Sequence, residues 1–176
     1  EVFRDSLLQL SGRLRWATGG GPMEVKSQDP SPADLANNQK FYEQSDRRSV
    51  YLPVVRSNVY DLLTLLDFPN AAESVGSRVT TTVPTQALMM MNGSFLMDES
   101  RRIAKNWPPN PGEELEQSLN RLYLAVLTRS PTPDELQWAA RFLEDYSAED
   151  TDPNRTKSWD ALCHTLVMSN DFIHVW

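Results

Sequence analysis

The 176 residues are 40% hydrophobic and 23% charged, with five Trp, five Tyr and six Phe; this is enough apolar mass for one domain to bury roughly 70% of its unfolded surface, and it excludes a disordered chain. The net charge of −7 is uneven, with 12 acidic and 12 basic side chains over residues 1–111 against 12 and 5 over residues 112–176, so the clustered cations needed for nucleic acid or an anionic membrane surface are missing. No apolar run reaches the ~18 residues of a membrane span, the single Cys163 cannot close an internal disulfide, and a start at Glu1 rather than Met makes a segment of a longer protein the expectation.

Residues 1–11 place Val2, Leu7 or Leu8, and Leu10 at spacings that suit a short helix, with Gly12 as its terminator. From Thr18 to Ser45 the triple glycine at 19–21, Pro22, Pro30 and Pro32 predict a long loop. In RRSVYLPVVRS, Val50, Leu52 and Val54 alternate with Ser49, Tyr51 and Pro53, which predicts a short edge strand over 48–54. Val59, Leu62, Leu63 and Leu66 then return to helical spacing before Pro69. A Thr cluster reads as extended backbone, and Pro84 opens a helix over about 84–91. Asn92 and Gly93 predict a left-handed stop, and Ser94 a cap for the next helix.

Beyond Pro108, Pro109 and Pro111, the residues Leu115, Leu119, Leu122 and Val126 form one apolar stripe of about four turns. Thr132, Pro133 and Glu135 make a capping box for a second stripe through Leu136, Ala139, Ala140, Leu143 and Tyr146. Trp159, Leu162, Cys163 and Leu166 mark a third helix that ends near Asn170, with a short strand over 172–176. Three such stripes must cover one another. The expected fold is all-α: a small helical bundle with a minor two-stranded β element pairing 48–54 with 172–175. Residues 1–111 would supply helices, loop and strand, and residues 112–176 a three-helix bundle packed on them.

Candidate chemistry is sparse. Covalent haem attachment needs a second cysteine three residues before Cys163, where Asp160 stands, and one Cys with His164 and His174 falls short of a zinc set. A buried Cys163 beside a surface His164 is the simpler reading. Met89, Met90 and Met91 diverge by about 100° each on a helix and cannot converge on copper. No catalytic, cofactor or metal residue is therefore assigned. Arg47, Arg48, Arg56 and Arg78 can grip carboxylate or sulfate, or else tie their segment to an acid such as Asp67, with Arg48 or Arg78 buried in an ion pair. Thr80, Thr81, Thr82 and Gln86 around Pro84 can cap the helix or meet a sugar-like ligand. The candidate ligand or partner surface is thus Arg47, Arg48, Asp67, Arg78, Thr82 and Gln86.

The stretch RRSVYLPVVRS, followed by LLDFPN, SRVTTTVPTQALMMMNGSF, LYLAVLTRSPTPDEL and LVMSNDF, resembles the C-terminal domain of unknown function of planctomycete cytochrome-associated proteins, the PSD-type domain. The resemblance implies a preceding uncharacterised domain, a c-type haem region further upstream in the parent but none in this segment, and export to the periplasm or cell surface. It supplies no reaction. The expectation is a non-catalytic structural or interaction module that docks on the preceding domain. The alternative is a wall, built from Arg48, Arg78, Thr82 and Gln86, of a site for anionic polysaccharide.

Overall fold

The computed structural model describes residues 1–17, 39–54, 59–70, 73–77, 81, 83–149 and 156–173, and these are mainly helical, with no strand among them. In chain order the elements are α1 (Val2–Leu10), α2 (residues 39–44), a 3₁₀ turn (Ser49–Tyr51), α3 (Asp61–Leu65), α4 (Pro84–Asn92), α5 (Ser94–Asn106), α6 (Leu115–Leu127), α7 (Pro133–Glu149), α8 (Thr156–Val167) and α9 (Asn170–Ile173). The all-α expectation holds. The two-stranded element does not.

The expected strand over 48–54 is a 3₁₀ turn, closed by Tyr51 N donating to Arg48 O (3.0 Å) and Leu52 N to Ser49 O (3.1 Å). Alternation alone cannot make a strand without a neighbouring edge to complete its hydrogen bonds. Here α1 side chains take that place: Asp5 accepts from Ser49 N at 2.8 Å, while Arg4 donates to the carbonyls of Tyr42, Ser45 and Arg47. The intended partner segment is helical through Ile173, and residues 174–176 lie outside the described residues. One isolated parallel bridge, Arg15 to Arg47, is the extended pairing that remains.

The predicted 18–45 loop is also shortened, because residues 39–44 form α2; residues 18–38 lie outside the described residues. Gln39 and Asp61 exchange two hydrogen bonds, Asp61 N to Gln39 Oε1 (3.1 Å) and Gln39 Nε2 to Asp61 Oδ1 (3.3 Å), and so tie α2 to the start of α3. Such a side-chain tether lies between segments that local spacing treats separately.

α1 ends as expected, with Gly12 at φ +72° and Arg13 N returning to Leu8 O at 2.9 Å. The corner between α4 and α5 differs. Gly93 has φ −65° and ψ 122°, so it is an extended N-cap for α5 rather than a left-handed stop, and Ser94 is already inside the helix with no capping bond. Glycine is needed there because a Cβ would stand 2.7 Å from the Met89 carbonyl oxygen. The capping box at α7 is as predicted, with Glu135 N donating to Thr132 Oγ1 (3.3 Å) and Thr132 N to Glu135 Oε2 (2.7 Å).

α5 packs most extensively on α8 and also meets α1 and α4, while α8 receives α6 and α7 on its other sides. Leu119, Leu143 and Leu166 are all buried, as the stripes require. Each such leucine stabilises the fold by about 1.5–3 kcal/mol relative to exposure. Leu115 and Tyr146, which the stripes would also bury, are 42% and 43% exposed. Both sit at stripe ends and line surface hollows between helices.

Candidate functional site

Arg48 follows directly from the α1 tether. Asp5 Oδ1 accepts from the amide and hydroxyl of Ser49, and its other oxygen stands 3.9 Å from Arg48 Nε. The guanidinium also lies over the Trp16 indole, 5.7 Å from the ring centroid, and Trp16 Nε1 donates to Gln9 Oε1 (3.1 Å). Arg48 is ion-paired as anticipated, but to an α1 acid and with 42% of its side chain exposed. Its neighbour Arg47 lies over Tyr51, 5.8 Å from the ring centroid. Arg48, Trp16 and Asp5 border a groove of about 430 Å³ between α1, the end of α6 and α9.

Asp67 and Gln86 occupy a different place. Asp67, at φ 57°, accepts from the amide and hydroxyl of Thr81 at 2.6 and 2.7 Å, which holds its carboxyl below the usual range. Gln86 donates to Leu65 O (2.8 Å) and accepts from Val83 N (3.3 Å), locking the start of α4 to the end of α3. Both line a second groove, about 550 Å³, whose walls include Val2, Val83, Met91 and Ile173. The sequence-predicted set therefore divides: Arg48 borders one groove, while Asp67 and Gln86 line the other. Arg56, Arg78, Thr80, Thr82 and His174 lie outside the described residues.

The two grooves share structure. Val2 lines both, and α9 stands between them with Asn170 and Ile173 on the second groove and Asp171 and Phe172 on the first. α9 is held by Arg129, which donates to Asp171 (2.5 and 3.0 Å) and bidentately to Glu135 (2.8 and 2.7 Å), and by an edge-on pair of the Phe3 and Phe172 rings. The Arg129 guanidinium holds the Glu135 carboxyl down at about 2.

Cys163 is fully buried in α8, and burial pushes its thiol well above the ordinary range. A neutral thiol without access to solvent is a poor nucleophile and metal ligand. His164 is half-buried rather than at the surface. Its Nδ1 lies 3.2 Å from Ser100 Oγ, whose own proton goes to Leu96 O (2.7 Å), and burial lowers the ring pKa. Met90 is buried, whereas Met91 is 57% exposed, so the three methionines diverge as their spacing dictates. Among the described residues no cluster of three or more His, Cys, Asp or Glu side chains could hold a metal ion, and no helix is long and apolar enough to cross a membrane.

Two buried charged groups escaped sequence reading. Arg4 is 1% exposed and donates to Arg47 O (2.9 Å), Tyr42 O and Ser45 O (both 2.8 Å), and Ser49 Oγ (3.3 Å). Glu99 is fully buried on α5 and is ion-paired to Arg13, whose other amino group donates to the carbonyls of Glu43 and Gln44. The signal was present in the spacing. Arg4 precedes Leu7 and Leu8 by three and four residues, and Glu99 follows Leu96 by three and precedes Ile103 by four, so each lies on the apolar face of its helix.

No curated protein matches this chain, and no solved structure does. A family profile matches residues 1–143, from α1 into the middle of α7, with the description "Protein of unknown function (DUF1553)". That span holds the Arg4 and Arg13–Glu99 tethers, the Arg48–Trp16 pair and the α4–α5 corner, and the chain belongs to this family, PSD1.

Proposed function

We propose that this chain is a non-catalytic docking module, seated on the preceding domain of its own parent chain in an exported, multidomain, cytochrome-associated protein of planctomycete type. In this reading any c-type haem belongs to the parent. The observation that carries it is the second groove, where Val2, Met91 and Val83 are 74%, 57% and 39% exposed around one apolar hollow. Contiguous exposed apolar surface favours association with another protein surface. Two polar members of that hollow, Asp67 and Gln86, are committed to hydrogen bonds with Thr81, Leu65 and Val83 and hold the wall in shape. Glu1, at the start of α1, also lines this groove. A polysaccharide wall is less well supported, because Glu1 and Asp67 would face an anionic glycan with like charge.

The test compares backbone hydrogen exchange in the parent protein with that in the isolated chain. Peptides spanning α1 and α4 should be protected in the parent, and Val2→Asp with Met91→Asp should return them to the isolated rate without lowering the melting temperature of the isolated chain. Identical exchange in parent and segment would remove the proposal's support. So would retention of binding to sulfated or uronic glycans by the double variant, if the wild-type chain bound them.

A further inference from the structure

We infer that the groove beside Trp16 is a binding site for a carboxylate carried on an apolar body, with Arg48 as its anchor. This goes beyond the docking reading and uses the other side of α9. Arg48 is fixed on two sides, by the indole beneath it and by Asp5 at 3.9 Å from Nε, yet among the described residues it donates no hydrogen bond. A guanidinium stacked on an aromatic ring is already oriented, so a planar oxyanion meets its fork of donors with little further loss of freedom. The side chain is 42% exposed on the rim of a groove of about 430 Å³, within the range of small-ligand pockets, roughly 300–1,000 Å³.

The groove's walls select the rest of the ligand. Leu10, Leu14, Leu127 and Phe172 present apolar surface along it, which suits an aliphatic or aromatic body. Two further acids line it, Asp5 and Asp171, but Asp5 accepts from Ser49 and Asp171 from Arg129. Arg129 is already bound by two carboxylates, so Arg48 is the cation left to meet an anion. One such cation in a groove that two acids also line favours a planar monoanion over a phosphate dianion. The carboxylate has two possible sources, a free small molecule or an acidic side chain of the preceding domain, and these separate experimentally.

The probe is 3-phenylpropionate, with 3-phenylpropan-1-ol as its uncharged counterpart, titrated into the 176-residue chain while the ¹⁵N-labelled indole resonance of Trp16 is followed. Trp16→Phe identifies that resonance. The acid should shift it saturably and the alcohol should bind at least about tenfold more weakly. Arg48→Ala should abolish the shift, Arg48→Lys should weaken binding by about tenfold through loss of the planar fork, and Arg101→Ala should leave it intact. Equal response to acid and alcohol overturns the inference, as does undiminished binding by Arg48→Ala or no response to the acid. Repeating the titration on the parent protein assigns the source. Unchanged affinity there means a free small-molecule ligand; exclusion of the probe, relieved by deleting the preceding domain, means that domain supplies the carboxylate. Tight binding to the chain that deletion fails to restore in the parent overturns both assignments.

Discussion

Replacing Arg4 by Met should destabilise the chain by about 3 kcal/mol, a large share of the roughly 5–15 kcal/mol that holds a domain folded. Arg4 donates four hydrogen bonds, three of them to main-chain carbonyls at 2.8–2.9 Å, from a side chain that is 1% exposed. Hydrogen bonds from a charged donor each contribute about 1.5–3 kcal/mol, so the gross loss exceeds the net. Two effects reduce it. Burial lowers the Arg4 pKa, a sign that desolvating the cation is itself costly, and the carbonyls of Ser45 and Arg47 lie near enough to solvent to find water. Tyr42 O does not, and its orphaning is the dominant cost. At this chain length about 3 kcal/mol corresponds to a fall of roughly 6–12 °C in melting temperature. Urea denaturation of wild type, Arg4→Met and Arg4→Lys measures the energy, and hydrogen exchange over residues 42–52 locates it. Lys should recover part of the loss, since one ammonium cannot span acceptors on opposite sides of the fork. A cost below about 1 kcal/mol, or unchanged exchange over residues 42–52, would show that the segment is held by something other than this guanidinium.

The Arg129–Glu135–Asp171 cluster predicts an acid-sensitive part of stability. Glu135 is held at about 2 by Arg129, below its unfolded value, so its contribution is complete above roughly pH 4.3 and is lost as pH falls towards 2; Glu135→Gln should flatten that part of a stability-versus-pH curve, and an unchanged slope would count against the pairing. Cys163 should react with a disulfide reagent only as fast as the protein unfolds, because its thiol is buried and pushed upwards by that burial. Labelling under native conditions that outpaces unfolding would contradict its place in α8. Gly93→Ala should cost roughly 1–3 kcal/mol by chemical denaturation, through the new methyl's approach to the Met89 carbonyl and not through backbone dihedrals, which any residue can adopt there. A neutral result would mean that the α4–α5 corner opens freely.

The helices α6 to α8 were legible because their apolar residues recur at helical pitch, and α7 also carries a local start signal in Thr132, Pro133 and Glu135. α4 was legible from Pro84 at its first turn, whereas the Ser94 cap read for α5 is not formed. Residues 48–54 were misread for a different reason. Alternating Val50, Leu52 and Val54 suit an edge strand, but whether an edge exists depends on distant chain, and α1 instead offers Asp5 and Arg4 as hydrogen-bonding partners. Arg4 and Glu99 were missed because a stripe read from apolar residues alone skips a charged residue inside it. The candidate site split for a related reason: Arg48 and Gln86 sit on segments whose neighbours in space, Trp16 and Leu65, are fixed by packing between helices.

α9 is only four residues long, yet Asn170 and Ile173 line one hollow while Asp171 and Phe172 line the other. A partition that thin cannot be pushed from one side without reshaping the other. A body seated beneath Val83 and Met91 would press on the chamber next to Trp16 through α9 and Val2, which both hollows share, with α9 latched by Arg129. The two surfaces are mechanically joined before any ligand arrives.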